Sequence, residues 1–263
     1  AEDVARLGGG VLFVSSADDD MLGHGVVNRL SHSKIDTRYV RFAPSAGMGL
    51  WMVINDAAGR QAGAISQMPD VKHIERIIDE HGDAIVREAD HIVLEIDLNE
   101  QISRRVLDLA WMYGKQVYAL PGNMEVLLRN VELLKKVSCF ICNDIEAGRL
   151  FHTETAGKDP EDMQRLVRRG VKELELPSMV ITLGEKGCVF CDARKGAPED
   201  GWEPAIATDV IDPSGAGDAF FSGTTLALTR GLPMRKAVKA GTQAAHRVLR
   251  STESTVPAAK AVE

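Results

Sequence analysis

From residue 83 to the end of the chain, short apolar runs that favour strands alternate with longer amphipathic stretches that favour helices. The pattern predicts strands at 91–96, 116–120, 139–142, 179–183 and 187–191, and helices at 101–113, 126–134, 160–173, 219–230 and 235–249. Such an alternation builds a mostly parallel sheet covered by helices on both faces, which is an α/β fold. Ligands of these sheets bind at the carboxyl ends of the strands. Polar residues that directly follow a strand are therefore the first candidates for a site.

The first third of the chain has a different pattern, in which strands follow one another without helices between them. A strand at 11–16 and a helix at 21–30, which the aspartates at 18–20 can cap, come first. Three strands follow at 37–40, 49–55 and 61–66, the last two joined by a turn at 56–59. We predict a main domain of residues 1–36 and 67–263, and a small β-sheet lid of residues 37–66. The polar, Gly/Pro-rich stretch 194–204 is predicted to be a surface loop.

The segment 212–220 reads Asp-Pro-Ser-Gly-Ala-Gly-Asp-Ala-Phe and leads into a run of small and apolar residues typical of a helix. Glycines at 215 and 217 leave the backbone N–H groups accessible where the helix begins, an arrangement that holds phosphate or another oxyanion. Asp218 follows these donors directly, although phosphate binding alone would gain nothing from a negative charge. The segment therefore predicts a base beside an anion hole formed by Gly215, Ala216 and Gly217.

Two further motifs follow predicted strands upstream. Residues 143–146 read Asn-Asp-Ile-Glu, which is equally typical of a helix N-cap with acidic residues in its first turn. Residues 182–187 read Thr-Leu-Gly-Glu-Lys-Gly, which alone is also an ordinary turn between two strands. In this order, the three motifs resemble the Asn-x-x-Glu, Thr-x-Gly-x-x-Gly and Gly-Ala-Gly-Asp signatures of the ribokinase-like (PfkB) family of sugar and nucleoside kinases.

The resemblance implies a ribokinase-like fold and an ATP-dependent phosphotransferase that moves the γ-phosphoryl group to a hydroxyl of a sugar or nucleoside. Asp218 would be the base and residues 215–217 the anion hole. The nucleotide-binding residues that it implies are Asn143, Thr182, Gly184, Gly187 and Gly241. Glu146 would act on Mg²⁺ through bound water, because Mg²⁺ keeps much of its hydration. By the same resemblance Asp212 and Ser214 would hold a monovalent cation such as K⁺, and Asn123 would contact the substrate.

Relatives open with a strand and a Gly-Gly-Asn segment that precede a helix, and this chain starts at what resembles that helix, residues 3–8. The resemblance covers residues 1 to about 257. Much of the acceptor-binding half of the active site is therefore expected to lie in a segment that is not part of this sequence. The alternative interpretation is a degenerate or truncated homologue that binds nucleotide or sugar without turnover. Because lid sheets of the family often pair between subunits and unpaired strand edges need covering, a homodimer through residues 37–66 is also expected.

Composition restricts the other function classes. A net charge of −7 and a pI near 5.6 argue against a nucleic-acid binder, which needs a basic face. No apolar run approaches the roughly 20 residues that span a bilayer, and the first residues are not a signal peptide, so a soluble, cytoplasmic protein is predicted. A P-loop motif is absent from the sequence, and Phe220 stands where a dinucleotide fingerprint needs a third small residue. A nicotinamide dehydrogenase is therefore the poorer interpretation.

The four cysteines form two C-x-x-C pairs, at 139–142 and 188–191, a pattern that often marks structural zinc. Both pairs lie in apolar runs that are predicted to be strands, where residues three apart point to opposite faces. We therefore interpret all four as buried, reduced core thiols.

Overall fold

The structure is a computed structural model that describes residues 1–44, 47–55, 61–122, 124–194, 196 and 198–258. Its strands are β1 Leu12–Ala17, β2 Asp36–Phe42, β3 Leu50–Asn55, β4 Gln61–Gln67, β5 His91–Glu95, β6 Gln116–Leu120, β7 Cys139–Asn143, β8 Ser178–Thr182, β9 Cys188–Asp192 and β10 Glu199–Glu203. Its α-helices are α1 Glu2–Arg6, α2 Met21–His32, α3 Lys72–Glu88, α4 Glu100–Met112, α5 Glu125–Arg129, α6 Asp144–Leu150, α7 Pro160–Glu173, α8 Ala216–Thr229 and α9 Met234–Leu249.

Contacts divide the chain into two compact units, one of residues 1–10 and 83–263 and one of residues 11–82. The larger unit contains a six-stranded sheet in the order β10-β9-β8-β7-β6-β5. Strands β5 to β8 run parallel, whereas β9 lies antiparallel to both β8 and β10. The mainly parallel α/β sheet that the alternating pattern predicts is confirmed.

The core of this sheet explains why its strands read as continuous apolar runs. Ile141 on β7, Val180 on β8 and Phe190 on β9 are buried and belong to one hydrophobic cluster with residues of α8 and α9. A parallel strand with helices on both faces buries side chains in both directions, so it lacks the polar alternation of a one-sided sheet. Helices α8 and α9 pack against each other in this cluster.

The smaller unit contains two separate pairs of strands. β1 pairs in parallel with β2, and β3 pairs with β4 as an antiparallel hairpin in which Met52 faces Ile65. Asp20 caps α2 by accepting a hydrogen bond from Gly23 N at 2.7 Å, as the acidic triplet predicted. The predicted turn at 56–59 lies outside the described residues, and the extent of the lid stays a prediction.

Two local predictions differ from the structure, and one helix was missed. The stretch 194–204, predicted to be a loop, contains β10, because the antiparallel neighbour β9 supplies hydrogen-bond partners that local composition does not reveal. The helix predicted at 126–134 is interrupted at Asn130, whose side chain donates to Val126 O, and continues as a 3₁₀ turn over Val131–Lys136. Helix α3 was not predicted and spans 17 residues.

All four cysteines are free and buried in β7 and β9, as the strand interpretation predicted. Burial raises the pKa of Cys139 to about 11 and that of Cys188 to about 12, so both are protonated thiols at neutral pH. Across the described ranges, none of the helices combines the length and the apolar character that crossing a membrane requires.

Candidate active site at the carboxyl edge of the sheet

The polar residues that follow the central strands meet at one edge of the sheet. Asn143 is the last residue of β7 and Thr182 the last of β8, and the two are partners in the β7–β8 register. Glu95 ends β5 at the same edge, paired with Leu120 of β6. The strand order therefore brings the two upstream motifs together, as the sequence predicted.

The start of α8 is a glycine turn without a side-chain cap. Gly215 is the N-cap residue and has φ +80°, a left-handed conformation that favours glycine. A Cβ atom at Gly215 would lie 1.9 Å from the backbone oxygen of Ser254, whereas one at Gly217 would meet nothing within 4 Å. The N–H of Ala216 donates to Pro213 O at 3.2 Å. The first turn of a helix leaves its N–H groups without intrahelical acceptors, so this turn can receive an anion.

Asp218 lies in this first turn, with its side chain open to solvent. The surrounding protein nevertheless removes enough hydration to raise the pKa of its carboxyl above the ordinary value. A carboxylate that is solvent-accessible and partly desolvated binds a proton more readily than an ordinary aspartate. Such a group suits proton abstraction from a bound hydroxyl.

Asn143 and Glu146 form a reciprocal capping box at the start of α6. The side chain of Asn143 accepts from Glu146 N at 2.8 Å, and Glu146 Oε2 accepts from Asn143 N at 2.8 Å. The helix-cap interpretation of this motif is therefore realised in the structure. Burial raises the pKa of the Glu146 carboxyl, while the hydrogen bond from Asn143 N opposes that shift. One carboxylate oxygen of Glu146 is left for a further ligand.

Two carboxylates at this edge were missed by the sequence reasoning. Burial raises the pKa of Glu95, and the negative charges of Asp97 and Asp218 raise it further. Asp97 is buried and accepts hydrogen bonds from Gly122 N, at 2.6 Å, and from Met124 N. Because Glu95 is the last residue of β5 and Asp97 comes two residues later, the strand-end argument used for Asn143 would have found them. Asn123, predicted to contact substrate, lies outside the described residues.

The segment 182–187 forms the tight connection between β8 and β9. Leu183 N donates to Gly187 O at 2.7 Å, and Gly187 N donates to Gly184 O at 3.0 Å. Gly187 has φ +89°, and a Cβ there would lie 2.1 Å from Glu203 O, so β10 itself requires this glycine. Gly184 has φ +57° with open space around the same position, which leaves its backbone accessible to a ligand.

Gly241 lies inside the contact between α8 and α9. A Cβ at this position would lie 2.1 Å from Thr224 Oγ1 and 2.7 Å from Phe220 O. Helix packing therefore explains why glycine is required here. Its predicted nucleotide contact stays a prediction.

The residues predicted to hold a monovalent cation form a turn just before α8. Asp212 Oδ1 accepts from Ser214 N at 2.8 Å, and this hydrogen bond lowers the pKa of Asp212. Thr255, in the segment that packs against Gly215, has a buried hydroxyl without a hydrogen-bond partner among the described residues. An unsatisfied buried oxygen fits a site that gains a ligand. Within the same residues, no group of three or more His, Cys, Asp or Glu side chains is arranged to hold a metal ion.

Comparison with known proteins shows the family of the chain. The profile of the pfkB family carbohydrate kinases matches residues 1–261. The chain is 29% identical over 254 residues to the guanosine-inosine kinase of Exiguobacterium acetylicum, covering 97% of this chain and 82% of that protein. It is 24% identical over 240 residues to the pseudouridine kinase of Escherichia coli, covering 91% and 74% of the two chains.

Solved structures share the fold. The structure of Arabidopsis thaliana ribokinase complexed with ribose and ATP superposes with a TM-score of 0.82 at 20% identity, covering 98% of this chain and 81% of that one. At 20% identity this superposition shows that the two proteins share a fold. Together with the family match over nearly the whole chain, it establishes that the chain belongs to the pfkB family of carbohydrate kinases and is a sugar or nucleoside kinase.

Proposed function

We propose that the protein transfers the γ-phosphoryl group of ATP to a hydroxyl of its acceptor at the start of α8, with Asp218 accepting the hydroxyl proton. The observation that carries this proposal is the partly desolvated carboxylate of Asp218 in the first turn of α8. The N-cap residue of this helix is Gly215, so no side chain caps the N–H groups of the first turn. Backbone N–H groups at 215–217 would stabilise charge on the migrating phosphoryl group, the main requirement of phosphoryl transfer. The Ala216 N–H now donates to Pro213 O, so it would share or exchange this acceptor when phosphate binds.

Mg²⁺ fits the donor set at the start of α6. Mg²⁺ binds through one or two carboxylates and retains water, and Glu146 keeps one oxygen outside its capping bond. When bound, the ion would supply positive charge that neutralises the phosphate groups. Asn143 would orient phosphate oxygens or metal-bound water, while Thr182 and the accessible backbone at Gly184 would contact the nucleotide.

For the acceptor we propose a purine nucleoside. This choice rests on the 29% identity to a guanosine-inosine kinase over 97% of the chain. Glu95 supports an acceptor subsite beside Asp218, the proposed proton acceptor. The Glu95 carboxylate is solvent-accessible and close enough to Asp218 for their charges to interact. A carboxylate there can accept hydrogen bonds from ribose hydroxyls. Asn123 remains a second predicted contact to the substrate.

The test is an ADP-release assay with ATP and Mg²⁺ against guanosine, inosine, pseudouridine and ribose, combined with calorimetric titration of ATP. Guanosine- or inosine-dependent ADP release would support the proposed acceptor. Turnover with ribose and with none of the three nucleosides would mean that the acceptor is a sugar. ATP binding without turnover on the four acceptors would favour the alternative interpretation, a binding homologue without catalysis.

A monovalent cation such as K⁺ is proposed to bind between the Asp212–Ser214 turn and the segment that contains Thr255. The buried hydroxyl of Thr255 lacks a partner among the described residues and would gain one as a ligand of the cation. Replacing K⁺ by a large organic cation should then lower kcat, whereas an unchanged kcat would contradict this site.

The hairpin β3–β4 is proposed to form a homodimer contact with the hairpin of a second copy. Four apolar side chains on it are about half or more exposed: Leu50, Met52, Ile54 and Ile65. A two-stranded hairpin is marginally stable unless it packs against something. Light scattering at micromolar concentration should give the mass of a dimer, and Met52→Glu should give a monomer. A monomeric parent protein would rule out this contact.

A further inference from the structure

Helix α1 hydrogen-bonds both backbone polar groups of Val256. The N–H of Val256 donates to Asp3 Oδ1 at 2.6 Å, and its carbonyl accepts from Arg6 Nη1 at 2.9 Å. Side chains three residues apart lie on one face of a helix, so a single face of α1 binds the backbone of a residue 250 or more positions away. Val256 is fully buried and Asp3 is 4% exposed, so this contact is enclosed by protein.

This contact is polar in a place where apolar packing is already available. Leu7 packs with a buried cluster made of Ala219, Ala244, Val248 and Val256, which joins α1 to α8 and α9. Burying a carboxylate beside this cluster has a cost, because burial raises the pKa of Asp3 although the hydrogen bond from Val256 opposes the shift. Apolar contacts hold the segment near α1, whereas hydrogen bonds to the N–H and the carbonyl of one residue also fix the orientation of its backbone.

The orientation of this segment matters because it touches the start of α8. The carbonyl of Ser254, two residues before Val256, lies against the Cα of Gly215, where a Cβ would approach to 1.9 Å. Gly215 is the N-cap of α8, and Asp218 follows in its first turn. A shift of the Val256 backbone would therefore move the Ser254 carbonyl, and with it the glycine turn at Gly215.

We propose that Asp3 and Arg6 are positioning residues for phosphoryl transfer, which set residues 254–256 against Gly215 and so fix the first turn of α8. The inference rests on the proposed function of that turn. Neither side chain contacts the reacting groups in this role. Their effect reaches the reaction through the backbone of the segment and the glycine turn.

The first experiment measures kcat and the KM for ATP of Asp3→Ala and Asp3→Asn with an acceptor that the parent protein phosphorylates. Asp3→Ala should lower kcat at least about tenfold, since a misplacement of about 1 Å can cost a hundredfold, while the KM for ATP changes less than about twofold. Asp3→Asn retains a carbonyl oxygen for Val256 N and should recover most of kcat. Arg247→Gln is the matched control, because Arg247 bonds the next carbonyl, Pro257 O, at 2.7 Å, and should leave kcat unchanged.

The second experiment measures amide hydrogen exchange without substrates, which separates this inference from the proposed function. Asp3→Ala should speed exchange at 214–219 and leave helix α7 unchanged. If Asp3→Ala fails to fold, Arg6→Gln, which loses the bond to Val256 O, is measured in its place. Parental kcat and parental exchange at 214–219 would overturn the inference, even with Asp218→Asn inactive. If the parent lacks turnover, the proposed function fails and the exchange result alone decides the role of Asp3.

Discussion

Helices α6 and α8 both begin at residues that match kinase motifs, but their first turns are built differently. At α6, Asn143 and Glu146 hydrogen-bond each other and satisfy the helix end from within. At α8, Gly215 has no side chain to offer, and Asp218 is neither a cap nor the partner of one. The motif at α6 is explained by helix capping, so any functional role of Asn143 and Glu146 must be compatible with their capping bonds. The motif at α8 leaves its carboxylate without a structural reason.

Asp218→Asn should have the largest effect, because it removes the proposed proton acceptor and keeps the size of the side chain. We expect kcat to fall at least about a hundredfold. ATP affinity, measured by calorimetry, should persist or increase, since a negative charge near the phosphates is lost. A near-normal kcat would show that the start of α8 is a structural turn, as at α6.

Gly215→Ala tests how far the glycine turn depends on its conformation. A side chain at φ +80° costs about 1–3 kcal/mol of folding free energy, and the Ser254 oxygen at 1.9 Å adds steric conflict. Gly217→Ala is the matched control, because its Cβ meets nothing within 4 Å and should change unfolding free energy by less than about 1 kcal/mol. Urea denaturation of the two variants measures the difference. Equal stability would mean that the contact with Ser254 relaxes at little cost.

The α6 motif can be divided into its structural and functional parts. Asn143→Ala should destabilise the protein by about 0.5–2 kcal/mol, because the cap of α6 is lost. Glu146→Gln keeps an acceptor for Asn143 N and, because burial raises the pKa of Glu146, should melt no lower than the parent at neutral pH, while the Mg²⁺ concentration needed for half-maximal activity rises. A Glu146→Gln enzyme with the parental Mg²⁺ requirement would leave Glu146 with its capping role alone.

Glu95→Gln should have the smallest effect, on the pH dependence of stability. The pKa of Glu95 is raised in the folded state, so its ionised form opposes folding once the pH exceeds the ordinary glutamate pKa. The variant should therefore melt higher than the parent at neutral pH, and the difference should vanish below the ordinary pKa. Melting curves across pH 3.5–8 are the measurement. The opposite sign would mean that Glu95 has a favourable partner when ionised.

The sequence predicted the sheet edge well because strand ends are local signals. Asn143 and Thr182 each follow a buried apolar run, and parallel strands bring such ends together. Glu95 and Asp97 carried the same signal and were overlooked. β10 was missed because its pairing with β9 comes from tertiary structure, while its residues are charged, glycine or tryptophan. Asp3 gave no local signal, since its partner lies 253 positions away.

The change from parallel to antiparallel pairing at β8 also has a kinetic consequence. Strands β8, β9 and β10 follow one another within 26 residues, 178–203, whereas each parallel pair from β5 to β8 needs an intervening crossover. Short connections form contacts at lower entropic cost, so we expect this meander to gain protection before β5 and β6 during refolding. Pulse-labelling hydrogen exchange can order these events, and earlier protection of β5 would reverse the sequence. In such a pathway the turn at 184–187 is among the first parts of the carboxyl edge of the sheet to form.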